Sequence, residues 1–254
     1  MLTIVHFSDI HLGQDHRGDA GERARRRAEQ VMAYVDALPG PVDAVLVTGD
    51  LADNGLPAEY REVAKVLTSR YPVLLCPGNH DTREPYREVL LGEEPSGGPV
   101  NRLHALPGAD VLMLDSSIPG RHDGLLDEET LGWLDRTLAE GPADRPALVA
   151  FHHPPVTLHL PYVDPIRQFG EERLAEVLGR HPRVRAMLCG HAHTAAATVF
   201  AGLPLLVAPG VVSTVPLPCE GRAEIIFEQP PVIAFHLLDD DGRLTTHYRV
   251  VAPA

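Results

Sequence analysis

The sequence predicts an α/β fold with two stacked β-sheets flanked by helices, and three observations predict it. Over the first two thirds of the 254 residues, short apolar runs alternate with amphipathic stretches of helical period. Past about residue 195 the helical stretches stop, and apolar runs follow one another between turn residues. No long linker, repeat or low-complexity tract separates the two parts. The pattern suits helices packed on the faces of sheets. Residues 1–254 read as a single domain whose C-terminal part, from about 195, is rich in strand. A split into two domains near 195 is the alternative, disfavoured because the uncharged segment there reads as shared core.

In chain order, Leu2–Ser8 reads as a buried strand and Glu22–Leu38 as a helix whose Arg23, Arg25, Arg26 and Arg27 form a solvated face. Ala44–Thr48 is a strand, Pro57–Arg70 a helix opened by proline, and Val73–Cys76 a third strand. Val111–Asp115 is a strand, and Asp127–Leu138 a helix with Asp127 as N-cap and acidic residues in its first turn. Strand Ala147–Phe151, helix Glu171–Leu178 and strand Val184–Cys189 follow. The tail reads as strands at Thr198–Phe200, Leu205–Val207, Val211–Val215, Glu224–Phe227, Val232–Leu238 and Leu244–Val251. Asp241-Gly242 supplies the hairpin turn between the last two.

Composition narrows the function classes. Lys+Arg 22 against Asp+Glu 35 gives a net charge of −13, which repels phosphate backbones, so no nucleic-acid polymer is expected as partner. Hydrophobic content of 44% and charged content of 22% exclude disorder over most of the chain. Cys76, Cys189 and Cys219 are scattered and lack CxxC spacing, which argues against a disulfide framework or a structural zinc finger. Ala195–Cys219 carries no charge, but its prolines and glycines break a spanning helix. With no secretory pattern at the N-terminus, the expectation is a cytoplasmic chain without a membrane partner. The compositional outlier is histidine, of which there are 14.

Those histidines gather with aspartates at the ends of apolar runs. Five runs end in Asp9-Ile-His11, Gly49-Asp50, Gly78-Asn79-His80-Asp81, His152-His153 and Gly190-His191-Ala192-His193. Ligands of open α/β sheets bind beyond the carboxyl ends of the strands, so these clusters can converge in one crevice. The i,i+2 spacing of Asp9/His11 and His191/His193 puts both side chains on one side of an extended backbone. Taken singly, Asp-x-His and Gly-Asp are common surface and turn patterns, and His152-His153 before Pro154-Pro155 fits a satisfied loop pair. The ordered set of five is what carries the chemistry.

That set resembles the calcineurin-like metallophosphoesterase superfamily, with its D-x-H, G-D, G-N-H-[DE], H and G-H-x-H pattern, over about Ile4 to His193. The runs His6-Phe-Ser-Asp-Ile-His-Leu12 and Leu188-Cys-Gly-His-Ala-His193 are most similar to bacterial class III cyclic-nucleotide phosphodiesterases and related glycerophosphodiesterases. The resemblance implies a four-layer α/β/β/α sandwich and two metal ions. Asp9, His11 and His193 would hold one ion, Asn79, His152 and His191 the other, and Asp50 would bridge them. Carboxylate oxygen, imidazole nitrogen and amide oxygen suit Mn²⁺, Fe or Zn²⁺ better than Ca²⁺.

The implied reaction is hydrolysis of a small phosphodiester by a metal-bridging hydroxide, with 3',5'-cyclic AMP as first substrate. A glycerophosphodiesterase or broad-specificity phosphoesterase is the alternative, and a non-catalytic metal-binding scaffold the rival from another class. His80 would contact the phosphate and assist the leaving oxygen, with Asp81 orienting its ring. Similar enzymes are often homodimers. From the residues themselves, Asp53 and Asn54 read as a turn supporting the Asp50 loop, and His153 as a support rather than a ligand. His6, His104, His122, His181, His236 and His247 read as core or surface histidines. Substrate choice is expected in the loop Val156–Phe169, which carries His159, Tyr162, Asp164 and Arg167.

Overall fold

A computed structural model describes residues 1–222 and 225–252. Strand β1 (Leu2–Phe7) leads through helix α1 (Glu22–Asp36) to β2 (Ala44–Thr48), and α2 (Pro57–Val66) leads to β3 (Val73–Cys76). A short helix α3 (Arg83–Tyr86) runs into a π-helical turn at Arg87–Leu91, before the hairpin of β4 (Arg102–Leu106) and β5 (Ala109–Met113). Then come β6 (Gly124–Leu125), α4 (Glu128–Glu140), β7 (Ala147–Ala150), β8 (Gln168–Phe169) and α5 (Glu171–Gly179). The last strands are β9 (Val184–Cys189), β10 (Ala196–Phe200), β11 (Leu203–Val207), β12 (Val232–Leu238) and β13 (Leu244–Val250).

One sheet has the order β13-β12-β1-β2-β3 and the other β10-β11-β9-β7-β5-β4. Strands β1, β2 and β3 are mutually parallel, as are β5, β7, β9 and β11. The period of two sends alternate side chains to opposite faces. Ile4, Leu46 and Leu74 of the first sheet meet Val111, Leu148 and Ala186 of the second in the layer between them. Val5, Phe7, Val45 and Val47 face outward onto Val31 and Val35 of α1 and Tyr60 and Val63 of α2. Leu112, Val149 and Met187 face the other way, onto Leu131, Leu134 and Leu138 of α4 and Leu174 and Val177 of α5. The result is the four-layer α/β/β/α sandwich. Strands covered on both faces bury every side chain, which is why they read as continuous apolar runs.

Local chemistry sets the element ends. The Asp127 carboxylate accepts from the Thr130 N–H at 2.8 Å, capping α4. Pro57 stands at the start of α2, where its missing N–H costs nothing, and Glu59 reaches back to the Leu56 N–H at 3.0 Å. That helix stops short of Arg70: the Thr68 hydroxyl donates to the Ala64 carbonyl at 2.9 Å in place of a backbone donor. The Asp239–Arg243 turn joins β12 and β13, with Gly242 at φ +78°.

Three readings of the sequence change. The hairpin partner β4 and the paired dipeptides β6 and β8 had no counterpart in the sequence-based elements. Val211–Val215 is a loop held by isolated bridges at Ser8–Gly210 and Thr214–Ile226. Glu224–Phe227 supplies only the Ile226 side of that bridge, and Glu224 lies outside the described residues. Among the described residues no helix is long and apolar enough to cross a membrane. The core histidines His6 and His236 are satisfied: His6 bonds Thr48 Oγ1 and His236 at 2.9 Å each, and His236 bonds Thr246 Oγ1 at 2.8 Å.

Candidate metal centre

All five polar clusters lie at the carboxyl ends of parallel strands and meet at one rim of the sandwich. Asp9 and His11 follow β1, Asp50 follows β2, Asn79, His80 and Asp81 follow β3, His152 and His153 follow β7, and His191 and His193 follow β9. The backbone there is not extended, contrary to the expectation from the i,i+2 spacing. Asp9, His11, Asp50, His191 and His193 have φ of 56°, 42°, 52°, 69° and 53°, in the left-handed region that non-glycine residues rarely enter. Such conformations persist where surrounding bonds over-determine them. Asp9 N donates to the Gly49 carbonyl at 3.2 Å, His11 N to the Asp50 carbonyl at 3.0 Å, and His191 N to Asp9 Oδ2 at 3.1 Å. Glycine at 78 lets the third strand approach: a Cβ there would overlap Asp50 Oδ1.

The convergence is tight. His11 Nε2 and His152 Nε2 lie 3.5 and 3.4 Å from the same oxygen, Asp50 Oδ2. His193 Nε2 lies 3.4 Å from Asp9 Oδ1 and 3.3 Å from His11 Nε2, and His191 Nδ1 lies 3.2 Å from His152 Nε2. Asp9, His11 and His193 form one potential ligand cluster, Asp9, Asp50 and His152 a second, and His152, His153 and His191 a third. Among the described residues, His80 enters such a cluster only with His11 and Asp53. Asp9 Oδ1 and His191 Nε2 are buried without a hydrogen-bond partner. A buried polar atom left unpaired costs about 1–3 kcal/mol, so these two atoms fit ligands of a cation.

The electrostatics agree. Burial pushes the Asp50 carboxyl up, but the neighbouring His152 outweighs it and holds Asp50 well below the usual carboxylate range. Burial pushes His152 down, and the Asp50 carboxylate reverses this to about 9. Burial lowers His191 and His193, keeping their imidazoles in the neutral form that binds metal. The far nitrogens are anchored: His152 Nδ1 donates to the Thr48 carbonyl at 2.6 Å, His193 Nδ1 faces Ser213 Oγ at 2.8 Å, and His11 Nδ1 faces Asp53 Oδ1 at 3.1 Å. Such partners fix the tautomer and aim Nε2 at the centre.

His80 stands beside the cluster. Its N–H donates to Asp50 Oδ1 at 2.9 Å, and its Nδ1 donates to the Asp53 carbonyl at 2.7 Å. Asp81 therefore does not orient the His80 ring. Its carboxylate is taken up by the N–H groups of Leu51, Ala52 and Gly78 and by the Tyr60 hydroxyl, at 2.8–3.1 Å. It ties the β2 and β3 loops together, and burial with the nearby Asp50 charge raises it to about 6. Asn79 Oδ1 lies 3.2 Å from His153 Nε2, whose Nδ1 faces Ser116 Oγ at 2.8 Å.

A cavity of about 400 Å³ opens over the cluster and is lined by His11, Asp50, Asn79, His80, His191 and His193 among others. His122, read from sequence as structural, also lines it. From the loop 156–169, Tyr162, Val163 and Ile166 reach the cavity. Asp164 instead accepts from the Leu158 N–H at 2.7 Å, and Arg167 pairs with Glu171 at 2.8 Å. Ser213, Val215, Ile225 and Phe227 were missed by sequence reasoning, because their segment read as strand. Arg23 and Arg27 are not simply solvated: they donate to the carbonyls of Val212, Val211 and Gln229 at 2.5–2.9 Å and clip that segment to α1.

The family model described as calcineurin-like phosphoesterase matches residues 2–195. A probable cyclic nucleotide phosphodiesterase of Rhodococcus erythropolis is 38% identical over 81% of this chain and 69% of its own length. A cAMP/cGMP dual specificity phosphodiesterase of Mycobacterium tuberculosis is 36% identical over 81% of this chain and 66% of its own, so about a third of these relatives lies outside the match. A glycerophosphodiester phosphodiesterase of Enterobacter lignolyticus is 32% identical over 92% of this chain and 86% of its own. Among solved structures, a dimetal phosphatase from Danio rerio superimposes with a TM-score of 0.72 at 17% identity, covering 99% of this chain and 96% of that one, a likeness of fold.

Proposed function

The chain belongs to the calcineurin-like phosphoesterase family, and from that premise we propose that it is a two-metal phosphodiesterase acting on 3',5'-cyclic nucleotides, cyclic AMP first. The carrying observation is Asp50 Oδ2, which both His11 Nε2 and His152 Nε2 approach from separate histidine groups at 3.5 and 3.4 Å. A carboxylate so placed suits the residue shared by two cations. Asp9, His11 and His193 would hold one, and Asn79, His152 and His191 the other. The mixed oxygen and nitrogen donors favour manganese, iron or zinc.

When bound, two such ions supply Lewis acidity at a phosphoryl oxygen and lower the pKa of water. Their charge of about +4 against Asp9 and Asp50 leaves about +2 to face a diester monoanion. The chain's own part is positioning and proton transfer. Asp50 accepts from the His80 backbone N–H, which holds this stretch of chain beside the centre, and ring Nδ1 donates to the Asp53 carbonyl. Nε2 is the nitrogen left for the leaving alkoxide, the place of a general acid. Asp81 acts at one remove, through the two loops it ties. We take residues 1–254 as one working unit, since β12 and β13 complete the sheet that β1 begins.

The glycerophosphodiesterase reading keeps support from the Enterobacter relative, which the chain matches over more of its length. Incubating the manganese-loaded protein with equal cyclic AMP and glycerophosphoethanolamine, and separating the products, decides between them. The proposal expects AMP to form first and chelator to stop it. Ethanolamine released faster than AMP would favour the second reading.

A further inference from the structure

The residues lining the cavity fall into two chemically different halves, one polar and one apolar. Besides the polar residues of the metal cluster, the lining includes Tyr162, Val163 and Ile166 of one loop and Val215, Ile225 and Phe227 of another segment. Among the described lining residues, Asp50 is the only acidic or basic side chain besides histidine, and it sits in the metal half. The described residues of the apolar half therefore offer no ion-pair partner to a charged headgroup, and an aromatic and branched aliphatic surface to a flat apolar group.

Resting on the cyclic-nucleotide reading above, we propose that this half is the nucleobase site and that Phe227 is its specificity-determining residue. The Phe227 ring is packed against two groups that do not line the cavity. The His16 ring packs on it at 4.3 Å between centroids, and the Arg23 guanidinium stands 5.1 Å from its centroid. Arg23 and Arg27 hold the backbone of the same segment at Val211, Val212 and Gln229. A ring held this way meets a base without first being ordered, which strengthens binding. The segment also carries Ser213, the partner of His193, so one piece of chain connects the base site to the metal centre. A glycerol or ethanolamine group gains little from such a wall, whereas base–aromatic contact of this kind changes affinity by about tenfold or more.

The test uses the full chain loaded with manganese. For wild type, Phe227→Ala and Phe227→Leu, kcat/KM is measured on cyclic AMP and on methyl 4-nitrophenyl phosphate, which has no base. Inhibition of the second reaction by AMP is measured in parallel. The proposal expects the ratio of cyclic AMP to methyl ester kcat/KM to fall about tenfold in Phe227→Ala, chiefly through KM, with AMP inhibition weakened alike. Phe227→Leu, which keeps the bulk and guards against a collapsed segment, should lie between. Equal losses on both substrates, or an unchanged ratio, overturn the proposal. If wild type leaves cyclic AMP intact, the functional reading fails, and AMP inhibition decides the base site by itself: weakening in Phe227→Ala upholds it, and no change or no inhibition overturns it.

Discussion

Replacing His80 with alanine separates catalysis from metal binding. The side chain is 33% exposed and makes one ring hydrogen bond, to the Asp53 carbonyl. Its removal costs about 1 kcal/mol of stability. As a general acid it is worth about 10²–10⁴ in rate, or about 2.7–5.5 kcal/mol of barrier. The effect on turnover therefore exceeds the effect on the fold several-fold. The assay is kcat on cyclic AMP beside metal content by plasma emission, in wild type and His80→Ala. Both proteins should carry the same metal. The loss should be greatest for cyclic AMP, whose alkoxide needs a proton, and smaller for a nitrophenyl diester, whose leaving group departs readily as its anion. Loss of metal with activity, or cyclic AMP turnover close to wild type, refutes the reasoning.

Three further predictions follow from the geometry. Ser213→Ala removes the partner of His193 Nδ1 and should weaken metal affinity about 10–100-fold, read from activity against free manganese in a metal buffer; unchanged affinity would show that the 2.8 Å contact has no orienting role. Asp50 holds His152 protonated up to about 9, and His11 is raised as well, its burial outweighed by Asp53 and Asp50, so manganese binding near neutral pH should release at least about one proton, measured by calorimetry in buffers of different ionisation enthalpy; heats independent of buffer would contradict it. His236 is held neutral down to about 3 by burial, and His6 is lowered by burial and by His236. The unfolded chain binds protons at these sites first, so stability is full above about pH 6.5 and falls with pH toward 3, by up to about 1.4 kcal/mol per unit per histidine. Thermal melts across that range should show a shallower fall for His236→Gln, and parallel curves would count against it.

The sandwich was legible because strands covered on both faces are continuous apolar runs, and because Asp127, Pro57 and Asp241-Gly242 mark element ends by local chemistry. The convergence of the five polar clusters was legible because rare residue types stand at the ends of those runs. The rest depends on long-range contacts. Val211–Val215 has the β-branched composition of a strand, yet Arg23 and Arg27, far away in the chain, hold its carbonyls and turn it over the cavity. Ser213 and Phe227 thus join the site with no motif to announce them. The left-handed backbone at Asp9, His11, Asp50, His191 and His193 opposes local preference and is imposed by cross-strand bonds such as His11 N to Asp50 O. Asp81 follows His80 directly, which suggested a partnership, but the three N–H groups it accepts come from loops that only the fold brings together. The hairpin of β4 and β5 did have a local signal, Pro107-Gly108 between short apolar runs.

The most direct test of the two-metal diesterase is hydrolysis of bis(4-nitrophenyl) phosphate against 4-nitrophenyl phosphate, with manganese and then with chelator. A two-metal diesterase cleaves the diester faster, and chelator abolishes that cleavage until manganese restores it. Preferred cleavage of the monoester would contradict the substrate class, and no cleavage with both metals bound would contradict catalysis itself.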